Sequence, residues 1–222
     1  MKSPRLFLQS AWLAVLLLAG GSTAPAWQLG SRPAADWIQT LERPSRVEGL
    51  KIDEIISHLK LRPGMVVADV GSGSGVFSRP LAKTVGPNGK VIAVDIEPGL
   101  LSYIRERAQK EGIPNIETHL GVPNDANLSG PVVDLALFHD SLHHIENREI
   151  YLKNLFKYIK PGGRVAIVDL DITDPDGPHK DQPEMQVSKD QIEQWMQAAG
   201  FRKTEDINLF PGEKVFLIYE KP

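Results

Sequence analysis

Three glycines at alternate positions follow an acidic residue in the run Asp69-Val70-Gly71-Ser72-Gly73-Ser74-Gly75. Glycines so placed let the backbone turn sharply and approach a ligand closely, and the free N–H groups of a helix starting just beyond point at a polar group. A merely tight strand-to-helix turn needs fewer of them. The register decides against a dinucleotide. The G-x-G-x-x-G fingerprint counted from Gly71 needs glycine where Val76 stands, and counted from Gly73 it needs glycine where Ser78 stands. Asp69 would repel a pyrophosphate, whereas its charge suits an ammonium group. The loop therefore reads as a cradle for a nucleotide-like ligand with a cationic amino-acid end.

Further polar residues sit at the ends of apolar runs. Asp95 closes Lys90-Val91-Ile92-Ala93-Val94-Asp95, where a carboxylate accepts from both ribose hydroxyls, and Ile96 follows it beside the same ligand. Asn124-Asp125-Ala126 lies beyond a third apolar run; Asp125 is placed to accept an adenine amino group, with Ala126 next to it, although Asn-Asp pairs are also ordinary turn formers. The segment His139-Asp140-Ser141-Leu142-His143-His144-Ile145 has three readings. Its histidines line the cofactor pocket, His139 foremost. His143 or His144 takes a proton from an acceptor. Or His139, Asp140 and His143 share a divalent metal if the segment is helical. No metal is assigned. His179, in Asp174-Pro175-Asp176-Gly177-Pro178-His179-Lys180, belongs to a loop that can lie over an acceptor cleft.

These residues need a scaffold, and the apolar pattern supplies one. Spacing of three and four through Leu50, Ile52, Ile55, Ile56 and Leu59 predicts an amphipathic helix from Val47 that ends before Pro63-Gly64. Met65 to Val70 is a short continuous apolar run, as in a parallel strand buried on both faces. Strands at 90–95, 116–120, 133–138 and 164–169 then alternate with helices at 76–85, 99–110 and 148–159. Ser188-Lys189-Asp190-Gln191 has the form of a capping box, at the head of a helix closed by Gly200. Residues 201–209 and 214–219, separated by Pro211-Gly212, read as an antiparallel pair. The fold class is α/β: Rossmann-like, doubly wound, with a mainly parallel sheet.

The chain has 222 residues, enough for one well-buried domain over 47–222. A net charge of -3 argues against a broadly basic surface and so against nucleic acid as a partner. Residues 1–26 have the order of a signal peptide: Lys2 and Arg5, then the apolar run 11–19, then Ala24-Pro25-Ala26 as a cleavage site. The run is shorter than the ~20 residues of a spanning helix. Cleavage removes two cations and no acid, so 25 − 2 = 23 cations face 28 acids, a net charge of -5. The reading is an exported protein, periplasmic or secreted, with no stable membrane span after cleavage. Residues 27–46 form an N-terminal arm that packs on the domain or covers its cleft. There is no cysteine, hence no disulfide and no thiolate chemistry.

From about Leu50 to Glu220 the chain resembles the class I S-adenosylmethionine-dependent methyltransferases. Val66 to Gly75 is similar to the family's first motif and Ile92-Ala93-Val94-Asp95 to its second. Val133-Asp134-Leu135-Ala136-Leu137 is similar to the strand-four motif, and Leu155 to Val168, with Lys160-Pro161-Gly162-Gly163, to the segment before strand five. The resemblance implies a seven-stranded sheet whose last hairpin holds the antiparallel strand, and S-adenosylmethionine as cofactor. It implies that Asp69, Gly71, Ser72, Gly73 and Gly75 face the methionine part, Asp95 the ribose and Asp125 the adenine. His139–Ile145 falls where the family brings acceptors toward the sulfonium. The expected activity is in-line methyl transfer to an unidentified acceptor, a small molecule being favoured. The alternative is a protein that binds the cofactor on this fold without catalysis.

Overall fold

A computed structural model of the chain describes residues 32–171, 179 and 181–222. The expected signal segment, the beginning of the arm and Asp174–Pro178 lie outside the described residues.

Among the described residues, seven strands form one sheet in the order β3-β2-β1-β4-β5-β7-β6. They are β1 (Val66–Val70), β2 (Lys90–Asp95), β3 (Ile116–Leu120), β4 (Val133–His139), β5 (Ile159–Leu170), β6 (Arg202–Asp206) and β7 (Lys214–Glu220). β1 pairs in parallel with β2 and β4, and the chain antiparallel to its neighbours is β7, which pairs with β5 and β6. The helices are α1 (Ala34–Leu41), α2 (Pro44–Gly49), α3 (Ile52–His58), α4 (Ser78–Val85), α5 (Pro98–Lys110), α6 (Arg148–Tyr158) and α7 (Lys189–Ala198). The α7 capping box is complete: Ser188 Oγ accepts from the Gln191 N–H at 3.1 Å, and the Ser188 N–H donates to Gln191 Oε1 at 2.9 Å.

Alternation along the strands builds two cores, one on each face. Ala68, Val70, Ala136 and Phe138 pack with α6 and α7, while Val67, Leu135 and Leu137 pack with α3 and α4. This is the period of two expected of a pleated strand. It puts Asp69 on the same face as Val67.

The sequence is misleading in two places. The helix expected from Val47 is two helices, because Lys51 takes a left-handed φ of 49° between α2 and α3. The arm, which has no clear periodicity, holds α1. That helix rests on α5 and on the glycine loop: a Cβ on Gly99 would lie 2.6 Å from Ala34 Cβ, and one on Gly73 would lie 2.9 Å from Leu41 Cδ1.

After β1 the chain builds outward through β2 and β3, then returns to the far side of β1 as β4. The loops after β1 and β4 therefore diverge at the sheet's carboxyl edge and leave a crevice. Open α/β sheets bind ligands at such a switch point.

Candidate active site

The glycine loop is shaped by what crowds it. Gly71 has φ of 70°, and a Cβ there would sit 2.5 Å from Ser141 Cβ. The neighbour is fixed, since Ser141 Oγ donates to the Val70 carbonyl at 2.7 Å. The loops after β1 and β4 thus touch through a residue without a side chain. Gly73 donates its N–H to Asp95 Oδ2 at 2.8 Å, and the Glu97 N–H donates to Asp95 Oδ1 at 3.0 Å. Asp95 is buried, and burial raises its carboxyl above the usual range. Each of its oxygens keeps a further lone pair for an incoming donor.

Gly71, Gly73 and Asp95 line one cavity of about 240 Å³. Ile96, Val122 and Leu100 make part of its wall apolar. Trp37 and Leu41 of α1 cover another part, and Asp140, Ser141, His144 and Ile145 close it from the β4 side. A smaller chamber of about 60 Å³ shares the walls Leu41, Gly71, Gly73 and Asp140, and adds Asp69, Ser72 and His139. Asp69 is 3% exposed and accepts from Ser78 Oγ at 2.5 Å. Burial is the main cause that lifts its carboxyl to about 6, and the Asp95 charge adds to it. Ser72 Oγ and Ser74 Oγ are buried without a partner in the same loop.

Asp140 completes this chamber in a left-handed conformation, φ 50°. Burial alone would raise its carboxyl. The His139 ring, 3.5 Å away, and the Lys214 ammonium, 2.7 Å from both oxygens, hold it instead at about 2. His139 itself is pushed down to about 4 by burial. It is uncharged at neutral pH, which leaves Lys214, with Arg46 Nη2 3.7 Å from Asp140 Oδ2, as the standing counter-ions.

The geometry separates the histidines that adjoin in sequence. His139 is the last residue of β4 and stacks on Phe77, ring centroids 4.4 Å apart. His143 and His144 belong to a 3-10 turn, Leu142–His144, not to an α-helix. The metal grouping of His139, Asp140 and His143 required an α-helical rise and is therefore corrected: a strand end and a 3-10 turn do not put residues four apart on one face. His143 is buried against Asp169, the end of the inward run of β5. Its Nδ1 donates to Asp169 Oδ1 at 2.5 Å and its backbone N–H to Oδ2 at 3.2 Å. His144 lies on the cavity wall, and burial, with the adjacent His143, pushes its ring down to about 3.

Asp125 and Ala126 are not among the residues lining the cavity. Ala126 is fully buried in the core, and Asp125 Oδ1 accepts from the Asn127 N–H at 2.8 Å while its backbone bridges Val122. Gly121, Val122 and Pro123 line it instead. Nothing in the sequence marks Tyr151 as a wall residue or Asp169 as the partner of His143. The arm carries no periodic signal for α1. Asp169 stands 26 positions from His143 and is brought beside it by the pairing of β4 with β5.

A doubly wound sheet with a glycine loop after β1, an acid at the end of β2 and one crevice between them defines a class I methyltransferase fold. A family model described as "Methyltransferase domain" matches residues 61–201, more than half the chain. The chain belongs to the S-adenosylmethionine-dependent methyltransferase family. It is similar to an S-adenosylmethionine-dependent methyltransferase of Aquifex aeolicus, with TM-score 0.77 and 26% identity, covering 86% of this chain and 100% of that one. It is 32% identical over 115 residues to an arsenite methyltransferase of Halobacterium salinarum, covering 52% of this chain and 29% of the other. It is 28% identical over 117 residues to a ubiquinone/menaquinone biosynthesis C-methyltransferase of Hydrogenovibrio crunogenus, covering 52% and 46%. The matched region spans less than half the length of these two curated relatives.

Proposed function

We propose that this chain transfers a methyl group from S-adenosylmethionine to a small-molecule acceptor. One observation carries the reading: a single cavity is walled at once by the glycine loop, by Asp95 and by the segment after β4. When bound, S-adenosylmethionine supplies a methyl carbon on a positively charged sulfur. The protein's residues fit it. Asp69 and the unpartnered serines of the smaller chamber suit its amino-acid end, and Asp95 suits vicinal hydroxyls. Ile96 and Val122 offer apolar faces to a base. Asp125, whose backbone bridges Val122, adjoins that apolar wall.

What the residues then do is align and exclude water, which supports transfer between two oriented partners without a covalent enzyme intermediate. His144 reaches the cavity, but a ring held at about 3 is a weak proton acceptor at neutral pH. His143 is the better oriented ring, yet it is 4% exposed. The arrangement thus favours an acceptor that arrives as its own nucleophile. The absence of cysteine removes the soft thiolate ligands with which the protein itself would hold a thiophilic acceptor such as arsenite.

Asp95→Ala tests the donor site. The loss of two charge-assisted hydrogen bonds, about 1.5–3 kcal/mol each, predicts at least a hundredfold weaker binding of S-adenosylmethionine by calorimetry, with far-UV circular dichroism preserved. Unchanged affinity would remove the ribose assignment. Release of labelled methyl groups onto extracted small molecules separates a transferase from a protein that binds the cofactor and goes no further.

A further inference from the structure

Beyond the donor site, three histidines from two distant stretches of chain converge beside the cavity. His143, His144 and His179 can each bring one ring nitrogen to a common point, and the three nitrogens lie within 4.8 Å of one another. The rings are gathered closely, with His143 and His144 centroids 4.1 Å apart and His179 5.3 Å and 5.7 Å from them. We propose that His143, His144 and His179 form a binding site for a divalent late transition-metal ion of the zinc type.

The hydrogen bonds around the rings leave each of them a nitrogen lone pair. A carboxylate only accepts, so the contact with Asp169 fixes the proton of His143 on Nδ1 and leaves Nε2 as a free lone pair. That Nε2 is buried and has no partner, and neither has Nδ1 of His144. Gln182 Oε1 accepts from His179 Nδ1, which leaves Nε2 of that ring as a donor atom as well. Two buried ring nitrogens without partners are costly in a finished site, and a bound cation satisfies both.

The surroundings have the form of an outer ligand shell. Asp169 behind His143 makes a carboxylate–histidine pair of the kind that orients metal ligands and raises their basicity. Arg148 ties the two stretches together: Nη2 donates to the carbonyls of His143 and Glu184, at 2.5 Å and 2.7 Å, and Nε donates to that of Leu142. Its cation is turned to carbonyls. Zinc–nitrogen bonds of 2.0–2.1 Å put tetrahedral ligand atoms about 3.3 Å apart, so side-chain torsions of roughly an ångström would close the set. Three imidazoles leave a fourth position open. The cluster reaches the cavity through His144, so that position is available to water or to a heteroatom of an incoming molecule.

The test uses the untagged full chain, freed of metal with a chelator. Titration with Co²⁺ is expected to give visible d–d bands that saturate at one equivalent per chain and are displaced by Zn²⁺. His179→Ala, at a half-buried ring, is expected to abolish the bands while leaving calorimetric affinity for S-adenosylmethionine unchanged. Asp169→Asn is expected to weaken binding ten- to a hundredfold. Substoichiometric binding, or saturation that survives His179→Ala, overturns the site. Should Asp169→Asn fail to fold, the His179 variant decides alone. Loss of donor binding in the unmodified chain would sink the donor assignment and leave the metal result standing.

Discussion

Asp69 is the residue on which stability and binding pull in opposite directions. Its folded carboxyl titrates at about 6, raised from 3.8 mainly by burial. Between those values the folded chain holds a proton that the unfolded chain has released. Stability therefore falls as the pH rises through about 4 to 6, and the deficit, about 3 kcal/mol at 1.36 kcal/mol per unit, is complete above pH 6. Asp69→Asn keeps an acceptor for Ser78 and removes the buried charge. Urea denaturation at pH 8 should find the ligand-free variant more stable than the unmodified chain, with the difference vanishing near pH 4. The same variant should bind S-adenosylmethionine more weakly, because an ammonium is what compensates the carboxylate. A variant less stable at pH 8 would make Asp69 a structural residue. At this scale the sequence was informative about Asp69 and Asp95, whose places at strand ends follow from apolar runs. It was silent on Asp169 and Trp37, whose roles arise from pairing and packing between distant segments. It placed His139 on the cofactor pocket, where the structure has it, while the metal alternative failed because spacing along the chain says nothing about a strand ending between His139 and His143.

Among elements, the strands were the most legible. Their apolar runs are bounded by Gly86-Pro87-Asn88-Gly89 and Gly130-Pro131, turn sequences that cannot continue a strand or helix regularly, whereas Pro161-Gly162-Gly163, expected to precede the fifth strand, lies within β5, where the pairing with β4 shifts register. The break between α2 and α3 was hidden because it depends on Lys51 in a left-handed conformation, which lysine seldom adopts. Contact between the loops after β1 and β4 rests on Gly71. Gly71→Ala adds a left-handed alanine and an overlap with Ser141 Cβ, together about 2–4 kcal/mol. Thermal denaturation should show the loss, and donor affinity should fall with it as the loop moves away from Ser141. An unchanged midpoint would mean that the two loops are free to separate.

For the whole molecule, the order of residues 1–26 supports our proposal that the chain is exported and the segment cleaved before Trp27. Among the described residues no helix is long and apolar enough to cross a membrane. Fractionation of the native cells with N-terminal sequencing should recover the mature chain outside the cytoplasm beginning at Trp27. Recovery of intact Met1 in the cytoplasm would withdraw the proposal. Export and a donor made inside the cell then stand in direct opposition, and labelled-methyl turnover in each fraction would say where the site is loaded.

The touch between Gly71 and Ser141 also gives the site a time of birth. A growing chain presents the glycine loop, Asp95 and α1 long before β4 is synthesised, yet the crevice lacks its far wall until β4 pairs beside β1 and brings Ser141 and His144 with it. A ligand stabilises only a state that can bind it. The early, outward-building half of the sheet thus relies chiefly on its own apolar faces, and S-adenosylmethionine lends its full stabilisation only to the closed crevice. It acts after the long-range return of β4, the slow kind of contact in folding, and serves as a latch on a completed chain.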